Sequence, residues 1–159
     1  MYTLELHQPA IPISYALLLV ELCTRWHVAP EELMAGTALD RHPLPGSDVR
    51  LSPLEFNQIV DRALRLTGET ALGYHFGLHL KLSAHGFLGY AVMTSATLGE
   101  AIQLVEKYFT TRSGALRFSS FIDGDTAVVQ VDSTVDVVAP FAFPFESLLV
   151  GLFHAGASI

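Results

Sequence analysis

The sequence is poor in charge and poorer still in positive charge. Asp, Glu, Lys and Arg make up 16% of its 159 residues, against about 25% in an average domain. Nine cations face sixteen acids, for a formal net charge of −7. The cations stand singly from Arg25 to Arg117 and never gather into a patch. Surfaces that grip DNA carry such a patch, so this segment is expected to make no nucleic-acid contact of its own. Cysteine is almost absent. Cys23 alone excludes an internal disulfide, and its run Ala16-Leu17-Leu18-Leu19-Val20-Glu21-Leu22-Cys23 marks it as a small buried apolar residue. The apolar stretch from Ile11 to Cys23 is broken by Glu21 and is short of the ~20 residues a bilayer span requires. The start Met1-Tyr2-Thr3-Leu4-Glu5 lacks the basic region of a signal peptide, and the cytoplasm is the expected compartment.

Catalytic signatures are equally scarce. Neither Ser95 nor Ser147 lies in a Gly-x-Ser-x-Gly turn. Gly86-Phe87-Leu88-Gly89 is not followed by the glycine of a dinucleotide fold, and no phosphate loop occurs. Asp123 and Asp125 suit a turn better than acid–base work. His75 and His79 are four apart on an expected helix and can face one side, as zinc ligands do. Phe76 follows the first of them where a metalloprotease places Glu, and His85 lies across an expected turn. No metal, cofactor or catalytic residue is expected.

Apolar residues are abundant, at 50% of the chain. The length fits one domain, and the surplus of apolar surface points to an interface. Residues 13–27 read as a helix apolar nearly all round, either buried or facing a partner. Pro30, Glu31 and Glu32 start a short second helix, and Asp40 to Asp48 reads as a loop. Ser52-Pro53-Leu54-Glu55 is a capping box opening a helix with Phe56, Ile59, Val60 and Ala63 on one face, stopped at Thr67-Gly68. Further helices are expected over 70–80 and 87–93. Thr97-Leu98-Gly99-Glu100 is a second capping box, followed by the stripe Leu98, Ala101, Ile102, Val105, Tyr108 and Phe109. The period then changes to that of strands in 116–122 and 126–131 around Asp123-Gly124-Asp125, which predicts a hairpin. Val135, Val137 and Val138 extend it. Pro144 opens a last helix with Phe145, Leu148, Leu149, Leu152 and Phe153. The ending Gly156-Ala157-Ser158-Ile159 has no polar tail, and the chain reads as a piece of a longer protein.

The aromatic residues Tyr90, Tyr108, Phe109, Phe118, Phe121, Phe141, Phe143 and Phe145 form the core and, in part, the wall of a small apolar pocket rimmed by His85, Arg112 or Glu146. The candidate ligand-binding residues are therefore His85, Tyr90, Tyr108, Arg112 and Glu146. Periodicity does not separate lining from packing.

Three stretches carry a family signature. They are Gly73-Tyr74-His75-Phe76-Gly77-Leu78, His85-Gly86-Phe87-Leu88-Gly89-Tyr90-Ala91, and Ser95-Ala96-Thr97-Leu98-Gly99-Glu100-Ala101 with Leu104, Val105 and Tyr108. This pattern resembles the N-terminal, arabinose-binding-domain-like region of AraC/XylS-type transcriptional regulators. The likeness covers most of the chain and is strongest at residues 68–110. It implies a domain that senses a small-molecule effector, forms a homodimer, and meets DNA only through two helix-turn-helix units in a following domain absent from residues 1–159.

The expected fold is α+β, mostly helical, with a hairpin near residues 115–132. The expected role is effector sensing and dimerisation for a transcription factor, with no membrane partner. A ligand-free scaffolding module and a small metal-dependent enzyme using His75 and His79 are the alternatives. The dimer surface is expected on helices 13–27 or 98–109, or on residues 141–159.

Overall fold

A computed structural model describes residues 6–41, 49–111, 116–133 and 142–156. They fold as α+β, mostly helical, with two small antiparallel two-stranded sheets. Strand β1 (Ile11–Pro12) leads directly into helix α1 (Ile13–Cys23). Helices α2 (Pro30–Met34) and α3 (Ala38–Arg41) follow, and strand β2 (Arg50–Leu51) returns to pair with β1. The expected loop at 40–48 begins inside α3, and its residues 42–48 lie outside the described ones.

Helix α4 (Pro53–Thr67) forms where its caps direct. The Ser52 hydroxyl accepts the Glu55 amide at 3.3 Å, and the Glu55 carboxylate accepts the Ser52 amide at 2.9 Å. Two amides at the helix N-terminus thus find partners. Gly68, left-handed at φ 64°, ends the helix.

The apolar α1 is largely buried within the chain. Ile13, Ala16, Leu19, Val20, Leu22 and Cys23 are covered by α2, α4 and the next helix, α5 (Leu72–His79). On the rest of the helix Leu17 and Leu18 are partly buried, and Ser14 and Glu21 are exposed. With Leu33, Leu39, Ile59, Val60 and Leu72, α1 forms a first core.

A second core lies beyond it. After the 3-10 turn Leu82–His85 come α6 (Phe87–Met93) and α7 (Leu98–Tyr108). A 3-10 turn at Phe109–Thr111 precedes strands β3 (Leu116–Asp123) and β4 (Thr126–Ser133). The strands form the expected hairpin, in register from Leu116 opposite Ser133 to Asp123 opposite Thr126. Its two-residue turn is Gly124-Asp125, with Gly124 at φ 59°. A glycine of positive φ at the first turn position matches the right-handed twist of the strands. Leu88, Val92, Ala101, Phe109, Leu116 and Phe118 make up this core, and the Phe109 and Phe118 rings meet edge-on at 4.5 Å. Val135, Val137 and Val138 lie outside the described residues.

Helix α8 (Ala142–Gly156) joins the two cores. Phe143 enters the first, 5.3 Å from the Phe76 ring and 6.4 Å from Phe56. Phe145, Leu148 and Leu152 pack on the second. Its seam with α5 is close because Gly73 and Gly77 fall on one face, four residues apart. A Cβ on Gly77 would sit 2.5 Å from the Ser147 carbonyl oxygen, and one on Gly73 would sit 2.9 Å from that of Phe143. Gly73 and Gly77 of the family signature are therefore contact points for a neighbouring backbone.

Candidate functional site

Helix α7 has the clearest amphipathic stripe in the sequence, yet of its own residues only Ala101 is fully buried. Its cap is half of the expected box. The Thr97 hydroxyl accepts the Glu100 amide at 3.2 Å, while the Glu100 carboxylate reaches past Thr97 to the Ala96 amide at 3.0 Å. The helix is thus fixed at its start, but its apolar face is not covered. Leu98 remains 53% exposed.

That face forms one wall of a cavity of about 520 Å³. Leu98, Ala101, Ile102, Val105 and Glu106 line it from α7, Phe118 and Val129 from the hairpin, and Leu152 and Phe153 from α8. Behind it a recess of about 50 Å³ reaches inward to His85, Gly89 and Ser147. The two spaces share Leu82, Val92, Val105, Leu152 and Ala155 and so lie side by side, the larger as an apolar channel beside α7 and the smaller at its inner end. Small-molecule pockets fall between about 300 and 1,000 Å³ and are mostly apolar with a few polar groups. This channel matches both criteria.

The inner end is built by close contact. The helix α6 backbone lies so near the Leu82–His85 turn that a Cβ on Gly89 would overlap the Leu82 carbonyl oxygen. His85 Nδ1 is hydrogen-bonded to the Tyr15 hydroxyl at 2.7 Å, which links the channel to α1 of the first core. The Ser147 hydroxyl donates to the Pro144 carbonyl at 3.1 Å within α8. Arg50 makes a second tie between the cores, donating to the Ala10 carbonyl at 2.9 Å and the Thr111 carbonyl at 3.0 Å.

The four candidate residues that are described do not meet at one place. His85 lines the recess. Tyr108 lies on the other side of α7, in an open cleft with Ser95, Glu100 and Lys107. Tyr90 is exposed on α6. Glu146 lies on the α5 side of α8, its carboxylate 2.7 Å from where a Gly73 Cβ would stand. Arg112 lies outside the described residues. Missed in the sequence were Ala101, Ile102 and Val105 as lining residues. Their spacing was visible, but it is the same spacing a packed face would show.

The remaining reactive side chains have structural surroundings. The His75 ring meets Trp26 edge-on at 5.2 Å and Tyr74 at 5.6 Å. Among the described residues, no three His, Cys, Asp or Glu come together as a metal site would require. Cys23 is buried, and burial pushes its thiol up to about 11, away from the thiolate that reactive cysteines need at neutral pH. No helix among the described residues is long and apolar enough to cross a membrane.

Comparison with known proteins agrees with this architecture. Residues 28–157 match the family described as the arabinose-binding domain of AraC transcription regulators, N-terminal. The chain is 35% identical over 143 residues to the ornithine utilization regulator of Pseudomonas aeruginosa, covering 90% of this chain and 42% of that protein. It is 27% identical over 124 residues to HTH-type transcriptional regulators of Mycobacterium bovis and Mycobacterium tuberculosis, covering 77% of this chain and 36% of each. The chain thus spans less than half the length of these curated relatives. A match over residues 28–157 takes in the second core, the channel between α7, the hairpin and α8, and the part of the first core that follows α1, and the chain belongs to the family of N-terminal arabinose-binding domains of AraC transcription regulators.

Proposed function

We propose that this domain senses a small-molecule effector in the channel beside α7 and transmits its occupancy to a DNA-binding region of the same regulator, in the cytoplasm and without catalysis. The observation that carries this reading is the uncovered apolar stripe of α7 around a space of about 520 Å³. An amphipathic helix ordinarily buries such a stripe. Left open, it provides a place where a ligand supplies the missing contacts. Binding would favour whichever arrangement of α7, hairpin and α8 closes on the ligand, which is a shift between two populations. The Tyr15–His85 bond and the α5–α8 seam offer routes from the channel to the first core. In the regulator carrying this domain, Ile102→Trp, which fills the channel, is expected to abolish the effector response of a promoter reporter at unchanged protein level. A response that persists would sink the proposal.

A second reading concerns association. Leu149 and Phe153, four apart on α8, are 57% and 82% exposed, and their spacing places them on one helix face. They support a homodimer through the 141–159 segment, with a symmetric pair as the commonest closed arrangement. Light scattering at micromolar concentration is expected to give a dimer mass, and Leu149→Glu a monomer mass. A monomer mass for the unsubstituted chain would overturn this reading.

A further inference from the structure

Resting on the reading of the channel as an effector site, we infer the chemical class of its occupant: a molecule with an apolar body and a neutral or cationic head, and not one with a free carboxylate. The body is set by the wall. Leu82, Val92, Ala101, Val105, Phe118 and Leu152 present carbon along the length of the space. At the inner end His85 Nδ1 is held by Tyr15 and the Ser147 hydroxyl is used within α8, so neither atom is offered to a head group. The head therefore lies toward the outer part.

There Glu106 is the one charged group among the described lining residues, and no Lys or Arg stands with it. The neighbouring Lys107 is turned to the other side of α7, with its ammonium 5.1 Å from the centre of the Tyr108 ring. An ammonium or hydroxyl head finds an acceptor in Glu106. A carboxylate would give up water in apolar surroundings, would meet no Lys or Arg among the described lining residues, and would face a like charge. Fatty acids are disfavoured on the same ground.

Three probes of one chain length separate the classes: decylamine, decanol and decanoate, each displacing the neutral fluorophore N-phenyl-1-naphthylamine from the purified 159-residue chain. Saturable binding of the fluorophore is expected, lost in Ile102→Trp and in Val129→Trp, which fill the channel from opposite walls. Decanoate should compete about tenfold or more weakly than decanol, as an unpaired carboxylate does in an apolar site. Decylamine should compete about threefold better than decanol, the scale of a partly exposed ion pair. Glu106→Gln should remove that advantage and leave decanol unchanged.

Decanoate competing as well as decanol, with both tryptophan variants still blocking, would overturn the ligand class and leave the channel as the site. Fluorophore binding untouched in both tryptophan variants, each with an unchanged melting temperature, would remove the channel itself as the site. No saturable binding of the fluorophore or of any of the three probes would overturn the inference as well.

Discussion

The two cores of this domain treat their apolar residues in opposite ways. The largest fully buried side chains, among them Leu19, Leu22, Leu33, Leu39, Ile59 and Leu72, all belong to the first core. Among the described residues, the exposed large apolar side chains, from Tyr74 and Leu78 to Leu149 and Phe153, all come after residue 73. The chain thus changes character near α5. Up to that point apolar area is removed from water and contributes stability at about 25 cal/mol per Å². Beyond it part of that area faces the channel or solvent, and the corresponding free energy is still available when a ligand or partner covers it. The low-stability elements of a protein are also those that move on binding. Under the proposed function, the first core would be the scaffold and the second the part that responds.

The seam joining the two regions should be the most sensitive place. Gly77→Leu would force α8 away from α5, because the atom met is a backbone carbonyl that cannot rotate aside. Overpacking commonly costs about 1–3 kcal/mol and more where backbone must move, so a loss of about 3 kcal/mol or more is expected in urea unfolding. A loss below about 1 kcal/mol would show that the seam yields and that α8 does not hold the two cores together.

The contrast between the cores is tested by equal truncations in each. Leu19→Ala in α1 is expected to cost about 2–5 kcal/mol, as deletion of a buried leucine does. Ile102→Ala on the channel wall should cost less than about 1 kcal/mol, because a half-exposed side chain leaves little new cavity. Comparable losses from both would mean that α7 is packed as tightly as α1 and that the channel is an ordinary part of the core.

Much of this architecture is written locally. Ser52 and Glu55 meet as the sequence requires, and Gly124 makes the hairpin turn its φ permits. What was not legible depends on contacts distant in sequence. Strands β1 and β2 are two residues each and have no period to detect. The return bond from Glu100 slips by one residue, to Ala96, which a spacing rule does not resolve. The stripe of α7 was read correctly as a helix face, but whether Val105 touches protein or empty space is decided by where Phe118 and Leu152 arrive. Of the four candidate site residues that are described, only His85 lines the channel, and it was singled out as a polar group for a pocket rim rather than through any pairing visible in sequence.

The smallest expected effect concerns the hydrogen bond that crosses between the cores. Tyr15 and His85 are seventy residues apart, with 2.7 Å between the hydroxyl and Nδ1 and the rings edge-on at 5.6 Å. Both side chains are half-buried, so water can partly replace a lost partner. Tyr15→Phe keeps the ring contact and removes the hydroxyl, and a cost of about 1 kcal/mol is expected. The size alone does not show coupling, since any buried hydroxyl has some value. A double-mutant cycle does. If the bond joins α1 to the channel, Tyr15→Phe should cost almost nothing once His85 is replaced by Phe, leaving a coupling of about 0.5–1 kcal/mol. Additive losses would mean that each side chain serves its own core separately. The scaffold and the responsive region would then communicate through the glycine seam of α5 and α8, and the first comparison would stand without this tie.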